Sequence, residues 1–152
     1  MTPSALGASL ILSFDGSVRY GPANATPTAA GIGYVVSEGE PLVEGSWAPT
    51  AFVSSTHVEY RALVAGARAV AALAEHRDVA SLHVRGDADA VVAAVDPDRA
   101  GEPGDEVTRR RVAEVRDLLA PIPEVTYRTV SRGRNERAHE LARRPHETGR
   151  PE

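Results

Sequence analysis

The apolar pattern of this chain changes character once, and that change restricts the fold more than any other feature. Up to residue 47 it is the pattern of strands joined by short links; from residue 58 onward helical and strand patterns alternate. Strands that pair in antiparallel fashion first, followed by β-α alternation, build a mixed sheet covered by helices. Residues 8–15 alternate with period two, with Leu10, Leu12 and Phe14 facing one way and Ile11, Ser13 and Asp15 the other. The Gly-, Pro- and Asn-rich stretch GSVRYGPANATPT reads as a turn or loop, with Gly16-Ser17 making a tight turn. Residues 31–37 and 42–47 read as two strands, and the short link between them predicts a hairpin.

A helix is predicted from Val58 to Glu75, with Leu63, Gly66, Val70 and Leu73 at helical spacing and Thr56 as its N-cap. Residues 80–86 form a strand, Asp89 to Val95 a short helix, and DPDRAGEPGDE a loop. Val107, Val112, Val115 and Leu118 mark a helix that ends before Pro121. A last strand covers 124–130 and a last helix Asn135 to Arg143. The expected order is β-β-β-α-β-α-α-β-α. That is an α/β fold with a mixed five-stranded sheet, three antiparallel strands first, flanked by helices. Its 152 residues are expected to form one domain, with a core over 8–143 and a polar, frayed tail over 144–152.

Composition excludes several function classes. No run of 18 apolar residues exists, so no membrane span is expected, and the N-terminus lacks the basic region of a secretory signal. Cysteine is absent, which excludes disulfides and thiolate zinc sites and fits the cytoplasm. The net charge of −4 does not advertise a nucleic-acid partner for the molecule as a whole. All 17 basic residues are arginine, so every cation is a planar fork suited to phosphate.

Three carboxylates sit at junctions between elements: Asp15 at the end of the first strand, Glu59 at the start of the first helix, and Asp87 after the fourth strand. Each has an ordinary alternative, respectively an exposed strand-end acid, a helix-dipole acid and an N-cap. Leu63 at i+4 directs Glu59 along the core stripe, and burying Asp15 alone costs at least several kcal/mol, which a metal offsets. Asp89 is a better cap or solvated acid and is left outside the group. Jointly the three suit a divalent ion and phosphodiester hydrolysis.

The order of these motifs resembles the type 1 ribonuclease H family over residues 8–143. DGS at 15–17 followed by the Gly-rich strand is similar to its first block, and VEYRALVAGA at 58–67 to its glutamate helix. GDADAVV at 86–92 is similar to the third block and VSRGRNERAHELAR at 130–143 to the C-terminal block. The resemblance implies hydrolysis of the RNA strand of RNA–DNA hybrids with two Mg²⁺ or Mn²⁺ ions, leaving a 3′-hydroxyl and a 5′-phosphate. It implies metal-binding and catalytic roles for Asp15, Glu59 and Asp87, and substrate contacts from Gly16 and Ser17. No obligate protein partner is evident.

The chain departs from the family pattern in places. The family's fourth acidic position is His139, flanked by Asn135, Ala138, Leu141 and Ala142. A neutral imidazole ligates metals but brings no negative charge, and His139 is expected in the site. The paired Asn before the glutamate helix is replaced by Ser55-Thr56, whose hydroxyls still donate. The loop where some members carry a basic helix is mostly acidic here, with Arg109, Arg110 and Arg111 following it. Arg132 and Arg134 in the loop before the last helix, and Asn135 at its start, are expected to meet substrate. Two other readings stand beside an active ribonuclease H. One is a hybrid-binding module with weakened catalysis; the other is a related nuclease, such as an exonuclease or a junction resolvase.

Overall fold

The computed structural model describes residues 7–20, 27–48, 55–99 and 105–148. Five strands, β1 (Ala8–Tyr20), β2 (Pro27–Glu38), β3 (Glu40–Trp47), β4 (Val79–Gly86) and β5 (Glu124–Thr129), form one sheet in the order β3-β2-β1-β4-β5. The first three pair antiparallel, and β4 and β5 add in parallel on the other side of β1. The helices are α1 (Ser55–Ala74), α2 (Asp89–Val95), α3 (Glu106–Leu119) and α4 (Glu136–Thr148), the last preceded by a 3-10 turn at Arg132–Arg134. This is the expected mixed sheet with its expected element order.

Alternation along β1 sorts the two faces. Leu10, Leu12 and Phe14 are buried with Ile32, Val36, Leu82 and Val84, beneath Leu63 and Val70 of α1 and Val112 and Val115 of α3. Interlocked aliphatic side chains of this kind supply most of the burial free energy of a domain. The opposite face is covered over β2 by α4. There a Cβ added at Gly33 would run into the backbone of Ala138 and Ala142, and one at Gly31 into Ala142. The two glycines let a helix backbone lie directly on a strand. Gly39, at φ 80°, supplies the left-handed residue of the β2–β3 turn.

Several boundaries differ from expectation. β1 does not end at Asp15, and Gly16-Ser17 is no tight turn: Asp15, Gly16 and Ser17 pair with Gly33, Ile32 and Gly31 in an unbroken ladder. Local turn chemistry yields to the hydrogen bonds that β2 offers. α1 begins at Ser55, so Thr56 lies inside its first turn and is not the N-cap. Val107 is 43% exposed. It lies five residues before Val112, which rotates it about 140° away from the buried stripe of Val112, Val115 and Leu119. The stretch predicted as a frayed tail continues α4 to Thr148, with Pro145 inside the helix. Proline has no N–H for the carbonyl four residues back. That carbonyl, of Leu141, instead accepts a hydrogen bond from Ser46 Oγ of β3 at 2.7 Å.

Candidate active site

The sheet brings three acids from three elements to one place. Asp15 sits in the middle of β1 and is 1% exposed. Glu59 comes from the second turn of α1, and Asp87 follows the last residue of β4, in the strand next to β1. One carboxylate oxygen from each lies within 4.8 Å of the others. Gly16 N–H donates to Glu59 Oε1 at 2.9 Å, which ties α1 to β1 beside Asp15.

Such crowding has an electrostatic cost. Burial, then the neighbouring charges of Asp15 and Asp87, push the Glu59 carboxyl up to about 9. Burial also raises Asp15 to about 6, against the lowering effect of its hydrogen bond to His139 and with a further push from Asp87. Asp87 Oδ2 is buried without a hydrogen-bond partner; its nearest cation, Arg132 Nε, is 3.6 Å away, too far for a hydrogen bond. Three hard oxygen donors converge here, one of them unsatisfied, and burial with the neighbouring acids disfavours the charged form of two of them, Glu59 most. This set fits a hard divalent cation.

His139 stands beside this group. Its Nδ1 is 2.8 Å from Asp15 Oδ2, leaving Nε2 as the nitrogen able to face a ligand. Asn135 precedes α4 and is 3% exposed. Its Nδ2 donates to Phe14 O at 2.9 Å, and its carbonyl accepts from His139 N at 3.0 Å. The Asn135 amide nitrogen thus fastens the start of α4 to the residue before Asp15, while its Oδ1 is buried without a hydrogen-bond partner.

The remaining expected contacts divide. The Gly16 N–H is engaged by Glu59. Ser17 lies two residues past Asp15 on the same face of β1, opposite Gly31. Arg132 is exposed beside Asp87. Arg134 is exposed, and its carbonyl accepts from Arg85 Nη2 at 3.1 Å. The side chains of Ser55 and Thr56 lie outside the described residues. Arg110 pairs with Glu106 and Arg111 with Glu114. Asp89 accepts from Thr129 Oγ1 and Arg99 and does not cap α2, whose N-cap is Ala88. Sequence reasoning missed Arg85. Its place on the α4 side follows from strand alternation, but its bond to Arg134 spans 49 residues and has no local signal.

A family model described as reverse transcriptase-like matches residues 13–145. Among solved structures, ribonuclease H1 from the halophilic archaeon Halobacterium salinarum is 26% identical at a TM-score of 0.77, with 92% of this chain and 98% of that chain covered. The N-terminal ribonuclease H domain of a Mycobacterium tuberculosis protein, solved as a maltose-binding-protein fusion, is 23% identical at 0.77, covering 91% and 93%. LC11 ribonuclease H1 in complex with an RNA/DNA hybrid is 21% identical at 0.75, covering 89% and 94%. No curated protein matches the chain. No helix among the described residues is long and apolar enough to cross a membrane.

Proposed function

This chain belongs to the reverse transcriptase-like family and has a type 1 ribonuclease H-like fold, and from that premise we propose that it is a metal-dependent endonuclease that cuts the RNA strand of RNA–DNA hybrids. The observation that carries the reading is the convergence of Asp15, Glu59 and Asp87, with an unsatisfied oxygen on Asp87 and carboxyls on Asp15 and Glu59 that resist ionisation. The proposed ligands are these three residues and, through Nε2, His139. Two Mg²⁺ or Mn²⁺ ions bound there would make the attacking water more acidic and neutralise charge on the scissile phosphate and leaving oxygen.

The chain's own residues set the geometry. His139 and Asn135 fix Asp15 from the α4 side, and the Gly16 N–H fixes Glu59 from the β1 side. Arg132, held near Asp87 and otherwise exposed, is placed to take a phosphate oxygen beside the cleaved bond. Attack in line leaves a 3′-hydroxyl on one fragment and a 5′-phosphate on the other. The RNA strand is selected by its 2′-hydroxyls and by groove shape. A chain without cysteine is at home in the reducing cytoplasm.

Cleavage of labelled RNA–DNA, RNA–RNA and DNA–DNA duplexes, each with Mg²⁺ and with Mn²⁺, tests this. Cleavage confined to the RNA of the hybrid supports the reading; no cleavage with either ion sinks it. One observation favours a second reading, a hybrid-binding module of weakened catalysis: a neutral side chain, His139, stands where the resemblance implies a fourth carboxylate. Under that reading wild type binds hybrid without turnover, and His139→Asp gains Mg²⁺-supported cleavage.

A further inference from the structure

A surface on the α1 side of the sheet carries aromatic and cationic groups that the carboxylate site does not use. Trp47 is the chain's one tryptophan, ends edge strand β3 and is 49% exposed. It pairs with Ile32, a residue buried on the α1 face, so its ring lies on the same side as α1. The Arg61 guanidinium stands over that ring, 5.0 Å from its centroid. With Val64, Ala65, Arg68 and Arg111 these two residues line a shallow pocket of about 150 Å³, and no acid is among the lining residues.

The cations there are crowded. Arg68 and Arg111 both turn to one carboxylate, Glu114, at 2.7 and 3.4 Å. Burial, then the charge of Arg111, holds the Arg61 guanidinium below its usual range. One carboxylate thus answers two guanidinium groups, and the third, Arg61, rests on the Trp47 ring, so the cluster keeps an excess of positive charge to which an arriving anion is attracted.

Register fixes how far this surface lies from the acids. Ser46, next to Trp47, is opposite Gly33, and Gly33 is opposite Asp15. Strands are spaced by about 4.8 Å, so the Trp47 and Asp15 backbones are on the order of 10 Å apart across the sheet, with the ring on the α1 face and the Asp15 side chain on the α4 face. On the α1 side, Glu59 of the acid group and Arg61 over the ring are only two residues apart on the same helix, so a strand a few nucleotides long spans from one to the other.

We propose that this surface binds an unpaired stretch of nucleic acid adjoining the duplex at the carboxylates, with one base stacked on Trp47 and the next phosphates held by Arg68 and Arg111. A flat ring offers a plane to stack on rather than donors that read base edges, and a base inside a duplex has both its faces covered by neighbours. Arginine forks beside such a ring take the backbone. The inference rests on the nuclease reading only for what the adjoining duplex is; binding of unpaired strand rests on the surface itself.

Because Trp47 is the one tryptophan, its fluorescence reports occupancy directly. The cleavage-blocked Asp87→Asn protein is titrated with a short unpaired oligonucleotide, a blunt hybrid, and the same hybrid with a short unpaired extension at either end. The unpaired oligonucleotide and one extended hybrid should quench the emission, and that hybrid should bind about tenfold tighter than the blunt one. In anisotropy measurements Trp47→Ala should bring that ratio to one, while Trp47→Phe, which keeps a ring, should retain most of it. Two phosphate contacts give a log–log salt slope of about −1.4 for the unpaired strand, and Arg68→Ala should reduce its size by about 0.7. Equal affinity for blunt and extended hybrids, or saturation without any change in emission, overturns the proposal. Wild-type cleavage of hybrid together with that result leaves the nuclease reading standing. Quenching by unpaired strand in a protein that cuts no hybrid does the reverse.

Discussion

The two faces of the sheet are held by different means. Under α1 and α3, Leu12, Phe14, Leu63 and Val115 meet as side chains, and stability comes from filling volume. Under α4 the helix lies on the bare backbone of Gly31 and Gly33, and side-chain bonds locate it: Asn135 to Phe14 O, Ser46 to Leu141 O, His139 to Asp15, and the Arg137 fork to Glu44 of β3. Side-chain packing tolerates exchange of one apolar shape for another; a hydrogen bond fixes one atom against another. The acids lie on the seam between these regimes. Glu59 arrives with the packed face, and Asp15 is gripped from the located one. Position is specified most tightly where the proposed chemistry needs it.

The largest expected effect separates site from scaffold. Asp15→Asn should abolish hybrid cleavage and leave the metal-free melting temperature unchanged or raised, since it removes a carboxylate from a crowded group. Near-wild-type cleavage by this variant removes Asp15 from the site. On the packed face, Leu63→Ala should cost about 2–5 kcal/mol in denaturant unfolding, while the protein that remains folded keeps its cleavage rate per molecule. A rate that falls with stability held constant would show that the packed face also sets catalytic geometry.

The third effect depends on pH. The Glu59 and Asp15 carboxyls are raised in the folded chain, to about 9 and about 6, so the native state holds these protons more tightly than the unfolded state. The stability they contribute is complete below the ordinary carboxylate range and is lost as pH rises, first through the Asp15 value and finally through that of Glu59. In chelator the melting temperature should therefore fall between pH 5 and pH 9, and millimolar Mg²⁺ or Mn²⁺ should restore most of the loss. A profile that metal does not change would leave the acids without a bound cation. The smallest effect belongs to the located face. Ser46→Ala leaves Leu141 O without its donor, which should cost about 1 kcal/mol in denaturant unfolding. An unchanged midpoint would mean that water replaces the hydroxyl without loss.

What could be read from the sequence was what is local. The alternation of β1, the buried stripe of α1 and the seven residues of α2 follow from period and capping rules applied to neighbours in the chain. The acids stood out because each lies at or near an element end in the pattern. What escaped depends on distant partners. β1 runs on through Asp15 because β2 supplies a ladder. α4 passes Pro145 because its donor-less turn is completed by Ser46, 95 residues away in the chain. The burial of Asn135 had no local signal either, since its amide donates to Phe14 O, 121 residues earlier.

The grip on Asp15 also has a consequence in time. His139 follows Asp15 by 124 residues. A ribosome adding about 5–20 residues per second takes roughly 6–25 s to cover that interval. Through it the growing chain holds the first acid but neither the histidine nor the helix that locate it. The proposed cutting would thus wait until synthesis has passed α4, and a chain released earlier carries the acids without the means to aim them.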